Sequence, residues 1–285
     1  MQIIGHKKQV EMLFSAVNNK KVHSAYLFVG QVGIGKKLVA LEFAKMLNCQ
    51  NKTSSSQKKA CGECISCRKI ESATHPDVIT IPILEDKSWI SIDQIRDMIK
   101  GLQFRAVMGG YNVRIIDDAH LIKEESASAL LKILEEPPTQ TVIILITSIP
   151  GSLPRTIISR CVTVHFSTLS DAEIKNEIRK YNLTDEELNF ITSVAIGSLG
   201  KALEFVNDKD LISEYRNVFA DFINGHYTTK KFNRKEVIKF LDILASQTRI
   251  NNIQKLENVL RIKNYIRRNA NISLALEVLR MSLSG

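Results

Sequence analysis

Two groups of residues have types and spacing suited to chemistry. The first is Gly30-Gln31-Val32-Gly33-Ile34-Gly35-Lys36, which follows an apolar run and opens a helical pattern of Leu38, Ala40, Leu41 and Ala44. Glycines so placed let backbone amides cradle phosphate oxygens at a helix start, and the lysine reaches the outer oxygens. Gly30, Gly33, Gly35, Lys36 and the adjoining Lys37 are the candidate phosphate contacts of this P-loop. Lys37 stands where an active site needs Ser or Thr. That hydroxyl ligates Mg²⁺, which accepts oxygen ligands in near-octahedral geometry; an ammonium cannot coordinate it and adds positive charge beside it.

The acidic partner of such a loop is found in Ile115-Ile116-Asp117-Asp118-Ala119-His120. Asp117 is suited to hold the metal. Asp118 occupies the place of a glutamate that orients the attacking water, and it is one methylene short. A plain strand-end turn is the alternative reading of the pair. The two departures together argue against efficient hydrolysis and put binding of ATP and Mg²⁺ in doubt.

The second group is Cys49, Cys61, Cys64 and Cys67, spaced C-x₁₁-C-x₂-C-x₂-C. Four thiolates suit tetrahedral zinc, and Cys-x₂-Cys lets one tight turn aim two sulfurs at one ion. An iron–sulfur site would carry a fourth cysteine just after the triplet, followed by proline; Arg68-Lys69-Ile70 follows instead. Unligated thiols are the other alternative, but the Lys-Ser-Gln-rich surroundings offer little apolar sequence to bury them. The expectation is structural Zn²⁺ with no open coordination position. The fifth cysteine, Cys161, begins an apolar strand and reads as a small core residue.

These groups need a scaffold. Apolar runs Ala25–Val29, Val78–Pro82, Val113–Asp117, Val142–Thr147 and Val162–Phe166 alternate with helical patterns. Runs with little polar alternation are those of strands buried on both faces, so a parallel sheet flanked by helices is predicted. Ser91 with Gln94 makes a capping box for a helix with Ile92, Ile95, Ile99 and Leu102 on one face. Leu130, Leu131 and Leu134 lie on another, stopped by Pro137-Pro138. After Phe166 the strand signal ends. Ser170 with Glu173 and Thr184 with Glu187 open two short helices, Gly197 ends the second, and Ser198 caps a third. Four longer amphipathic patterns follow near 209–224, 234–249, 252–268 and 271–283. The predicted architecture is an α/β domain over 1–166 with a cysteine insertion at 49–67, a small helical domain over 167–207, and an all-α domain over 208–285.

Bulk properties set bounds. The 285 residues suggest about two domains by length alone, and 44% hydrophobic with 24% charged residues is an ordinary globular mixture. No apolar run approaches the roughly 20 residues that span a bilayer. The amino terminus lacks the charged-then-apolar order of a signal peptide; a cytoplasmic protein without membrane contact is expected, and five cysteines in such a chain point away from disulfides. The net charge of +9 agrees with a nucleic-acid or acidic partner and equally with a lysine-rich solvated surface.

The motifs in order resemble the bacterial DNA polymerase III clamp-loader subunits, an AAA+ family. The resemblance runs from end to end and is least specific in the carboxy-terminal bundle. It rests on His23-Ser24-Ala25-Tyr26-Leu27-Phe28, the four-cysteine insertion, His75-Pro76-Asp77, Ala129-Leu130-Leu131-Lys132-Ile133-Leu134-Glu135-Glu136-Pro137-Pro138, and Leu153-Pro154-Arg155-Thr156-Ile157-Ile158-Ser159-Arg160-Cys161. It implies an AAA+ P-loop domain, a helical lid and an oligomerising collar. Motor subunits, gamma and tau, carry Gly-Lys-Thr/Ser and Asp-Glu; Gly35-Lys36-Lys37 and Asp117-Asp118 point instead to the delta prime class. The resemblance also makes Thr147 one sensor position, and places Gly200 where motors carry a phosphate-sensing arginine, with Lys201 the nearby substitute. Ser159-Arg160-Cys161 is kept, and it implies an arginine finger, Arg160, reaching a neighbouring motor's ATP. The implied partners are gamma/tau, delta, the sliding clamp and primed DNA, in a hetero-oligomer. Two alternatives remain at this point: an active ATPase that tolerates Lys37 and Asp118, and an autonomous zinc-dependent DNA-binding module.

Overall fold

The computed structural model describes residues 3–51, 60–83 and 89–208, and, further on, 237–238, 240–241, 244–245, 253–267 and 270–284. Two compact units result, Met1–Thr168 and Leu169–Gly285.

The first unit is built on five parallel strands: β1 Ala25–Val29, β2 Val78–Ile81, β3 Asn112–Ile116, β4 Thr141–Thr147 and β5 Val162–His165. Their order is β2-β3-β4-β1-β5, with Ala25 opposite Ile143 and Tyr26 opposite Val162. All five lie where the sequence places them, shifted by at most a residue at an end. Alternate residues serve opposite faces, as strand geometry requires. Tyr26, Phe28, Val113, Ile115, Val142 and Ile144 join Leu13 of α1 (Lys7–Asn18) and Val39, Phe43 and Leu47 of α2 (Lys36–Asn48). Ala25, Leu27, Ile116, Ile143 and Leu145 join Ile95 and Met98 of α4 (Ile92–Leu102) and Leu130 and Leu134 of α5 (Glu124–Glu135). Helix α3 (Ile65–Glu71) follows the cysteine turn, and the short α6 (Arg155–Ile158) precedes β5. The Ser91–Gln94 capping box forms as predicted, and Gln94 also donates to the Pro82 carbonyl at 2.7 Å.

In the second unit, α7 (Asp171–Ile178) and α8 (Asp185–Ala195) each start with the predicted box. Gly197, at φ 74°, ends α8, and its carbonyl accepts from the Leu169 amide at 2.9 Å. Ser198 caps α9 (Leu199–Asn207). Two later helices, α10 (Ile253–Arg267) and α11 (Ile272–Ser284), share a buried cluster of Val259, Ile262, Ile266, Leu276 and Leu279 with Val237, Phe240, Leu241 and Leu244. The helix predicted near 209–224, most of that near 234–249, and the polar stretch Lys52–Lys59 lie outside the described residues.

Candidate functional site

The sheet brings the phosphate loop, the acidic strand end and the Thr147 position to one edge, where the carboxyl ends of β1, β3 and β4 meet. That edge is where open α/β sheets bind ligands. The Gly30 amide donates to the Thr147 carbonyl at 3.2 Å and ties the loop to β4. A Cβ at Gly30 would lie 2.6 Å from the Phe166 carbonyl oxygen, so no larger residue fits. Gly33 and Gly35 take φ 76° and 101°, a backbone region that costs a side chain strain but not glycine. His6 Nε2 bonds the Ile34 carbonyl oxygen at 2.7 Å and pins the loop from α1's start.

Lys36, only 7% exposed, points its Nζ into the loop and donates to the carbonyls of Gly30 and Gln31 at 2.7 and 2.6 Å. Burial pulls its pKa down, while Asp117 and Asp118 oppose that shift. Lys37 Nζ sits 3.4 Å from Asp117 Oδ2. Asp117 Oδ1 accepts the Asp118 amide at 3.1 Å, and Asp118 takes a left-handed turn at φ 49°. These residues do not fit a bound Mg²⁺: the hydroxyl ligand is missing, and an ammonium lies against the carboxylate that would hold the ion. Thr147 is buried, and its hydroxyl accepts the Ile149 amide at 3.0 Å. Gly200 and Lys201 lie on α9 of the other unit, where the Lys201 amide caps onto Ser198 Oγ.

The cysteines do converge. The sulfurs of Cys49, Cys61, Cys64 and Cys67 all lie within 4.8 Å of one another, a set that fits tetrahedral zinc. The turn that aims them is visible in its bonds: the Cys64 amide donates to Cys61 Sγ, and the Cys67 amide to Cys64 Sγ, each at 3.4 Å. At Cys64, burial raises the thiol pKa, but hydrogen bonds from the amides of Cys67 and Gln50 and with the thiols of Cys67 and Cys61 together bring the value to about 6. Burial pushes the Cys67 thiol up. Zinc here would be held by all four sulfurs and would fix the start of α3, which Lys45 of α2 grips through Glu71 at 3.1 Å.

Arg160 makes local contacts. Its guanidinium donates to the Thr156 carbonyl at 2.9 Å and pairs with Glu135 at the end of α5. Ser159 Oγ donates to the Thr156 carbonyl. Cys161 is half-buried beside the α4–α5 face, and burial raises its thiol pKa to about 11.

Some residues matter more than their sequence showed. Asp77 is 2% exposed and accepts the amides of Val107 and Met108 at 2.7 and 2.8 Å, closing the loop after α4. Arg114, buried in β3, donates to the Asp77 carbonyl at 3.1 Å. His75 accepts the Asp77 amide on Nδ1 and meets Ser66 of α3 at 2.9 Å through Nε2, which links the helix after the cysteine turn to β2. A lone arginine inside a Val/Ile strand was the available signal for this tie. The partnership of Glu135 with Arg160 had none.

A five-stranded parallel sheet with a phosphate loop after its first strand and acids at the end of its third defines an AAA+-like α/β domain, followed here by helices. The chain belongs to the DNA polymerase III clamp-loader subunit family, which includes gamma/tau and delta prime: the family profile described as "DNA polymerase III, delta subunit" matches residues 5–170. Among relatives, the tau/gamma subunit of Haemophilus influenzae is 34% identical over 202 residues, 71% of this chain and 28% of that protein. The delta prime subunit of Pseudomonas aeruginosa is 38% identical over 153 residues, 53% of this chain and 46% of that protein. The chain thus spans less than a third of the first relative's length and less than half of the second's. In fold it is similar to a gamma subunit-related protein of Thermotoga maritima, with a TM-score of 0.55, 18% identity, and coverage of 96% and 99% of the two chains. Among the described residues no helix is long and apolar enough to cross a membrane.

Proposed function

We propose that this chain is the delta prime subunit of a clamp loader, a fixed neighbour that lends Arg160 to a gamma/tau motor's ATP. The observation that carries this reading is the Lys37–Asp117 pair: the chain's own site holds an ammonium where a hydrolysing site needs Mg²⁺. A subunit that does not turn over ATP yet keeps Ser159-Arg160 is suited to act in trans. Guanidinium is always charged and can stabilise charge on a transferring phosphoryl group. In this reading 167–207 is a lid and 208–285 a collar that joins gamma/tau and delta in a ring, which opens a sliding clamp and places it on primed DNA. Exposed Leu274, Val278 and Met281, at helical spacing on α11, give the collar an apolar face for a neighbouring subunit. Reconstituting the chain with its motor partners tests the idea. Arg160→Ala should lower motor ATP turnover by about 10³-fold, and unchanged turnover would overturn it.

The tau/gamma relatives keep a second reading in view, that the chain is itself a clamp-loader ATPase. ATP turnover by the purified chain alone would favour that reading. Its absence, with gain on Lys37→Thr, favours the first.

A further inference from the structure

In a hydrolysing P-loop site, the divalent ion lies between a hydroxyl at the helix start and the acid at a strand end, and it neutralises the phosphates between them. Both ends of that bridge can be followed in this chain. Lys37, the second residue of α2, replaces the hydroxyl, and its Nζ lies 3.4 Å from the Asp117 carboxylate that would take the metal. The other oxygen of Asp117 is engaged by the Asp118 amide. Asp118 itself turns away from an extended path and sets Oδ1 3.9 Å from His120 Nδ1. An arriving Mg²⁺ would find one carboxylate already paired, no hydroxyl, and an ammonium at close range.

The phosphate-holding parts, by contrast, are complete. The glycine loop keeps its tight approach to Phe166, just after β5, and its positive φ angles at Gly33 and Gly35. The first amides of the 13-residue α2 open onto the loop. Lys36 is buried with its ammonium inside the loop; two of its three donors meet the Gly30 and Gln31 carbonyls, and the third is not needed by them. The charges balance within the site: Lys36 and Lys37 against Asp117 and Asp118.

We infer that the Lys37 ammonium is a resident cation in the place of the divalent ion, so that this loop takes a nucleoside di- or triphosphate as the metal-free anion. On arrival of the phosphates, Lys37 serves both the Asp117 carboxylate and the nearest phosphate oxygen, the two duties Mg²⁺ would perform as a ligand bridge. The ligand is held without turnover, because an ammonium offers no coordination sphere in which to organise the attacking water. This deepens the reading of a non-hydrolysing site and rests on that part alone, so its failure leaves the role of Arg160 to its own assay.

The test uses the purified full chain and the fluorescent analogue mant-ADP, titrated once with excess Mg²⁺ and once with EDTA. For the native sequence the two dissociation constants should agree within about threefold. Lys37→Thr restores a hydroxyl and frees Asp117, so Mg²⁺ should tighten its binding by about tenfold or more, and Mn²⁺ should give a bound-ion signal by electron paramagnetic resonance that the native chain lacks. Lys37→Met removes the ammonium without supplying a ligand; its binding should weaken about tenfold in both conditions and gain no metal dependence. Thermal melts of each variant establish that it is folded. Tenfold tightening of the native chain by Mg²⁺, failure of the native chain to bind in EDTA, or a folded Lys37→Thr that stays indifferent to metal would each overturn the inference.

Discussion

The ion pair between Arg160 and Glu135 offers a way to separate a finger from a fastener. The perturbation is Glu135→Gln, set beside Arg160→Ala. Both side chains are well hydrated, 35% exposed for Arg160 and 50% for Glu135. An exposed pair of this kind contributes about 0.2–1 kcal/mol. Either substitution should therefore lower the isolated chain's melting temperature by no more than about 4 °C, since a domain of this size shifts roughly 2–4 °C per kcal/mol. The reconstituted loader should respond very differently. Losing the guanidinium removes about 10³-fold of motor turnover, or roughly 4 kcal/mol of transition-state stabilisation. That is several times what the local pair can hold, so the effect must arise in the neighbour's site. Losing Glu135 removes the ion pair and leaves the guanidinium its bond to the Thr156 carbonyl. A pair worth at most about 1 kcal/mol can change its availability by no more than roughly fivefold, so turnover should stay level or rise within that bound. Steady-state ATP hydrolysis with purified partners, read beside thermal melts of each chain alone, supplies both numbers. Equal losses of turnover in the two variants, or a melting temperature that falls by much more than about 4 °C for Arg160→Ala, would refute the reasoning and make Arg160 a structural residue.

Other outcomes follow from the same geometry. Asp77→Ala strands two amides and should destabilise the chain by about 3 kcal/mol, seen in calorimetry as a loss of roughly 6–12 °C, with Asp77→Asn retaining about half; a loss under about 2 °C would deny the loop-closing role. Elemental analysis should find a single zinc ion per native chain, and Cys64→Ser or Cys67→Ser should lose it together with thermal stability; a metal-free native chain of unchanged stability would remove the zinc assignment. Gly30→Ala drives a methyl onto the Phe166 carbonyl, so mant-ADP binding should weaken at least about tenfold, and native-like affinity would show that the loop can relax around it.

Much of this protein was legible in its residues alone. Five apolar runs became five parallel strands; β3 and β4, buried along their whole length, have no use for polar alternation. By contrast, β2 and β5, at the two ends of the strand order, are not buried on both faces as expected and leave Ile79 and His165 exposed. Ser91, Ser170, Thr184 and Ser198 marked helix starts because capping is a local bond between near neighbours in sequence. The cysteine spacing foretold a cluster for the same reason: the turn from Cys61 to Cys67 needs only its own amides. Contacts that join distant segments were not legible. Glu135 meets Arg160 across 25 residues, Asp77 meets Val107 across 30, and Lys37 finds Asp117 only because β1 and β3 end at one edge of the sheet. The sequence alone determined the loop, the strands and the ligand types. The tertiary structure decided which charge faces which, since Coulomb and hydrogen-bond energies depend on distances that only the folded sheet sets.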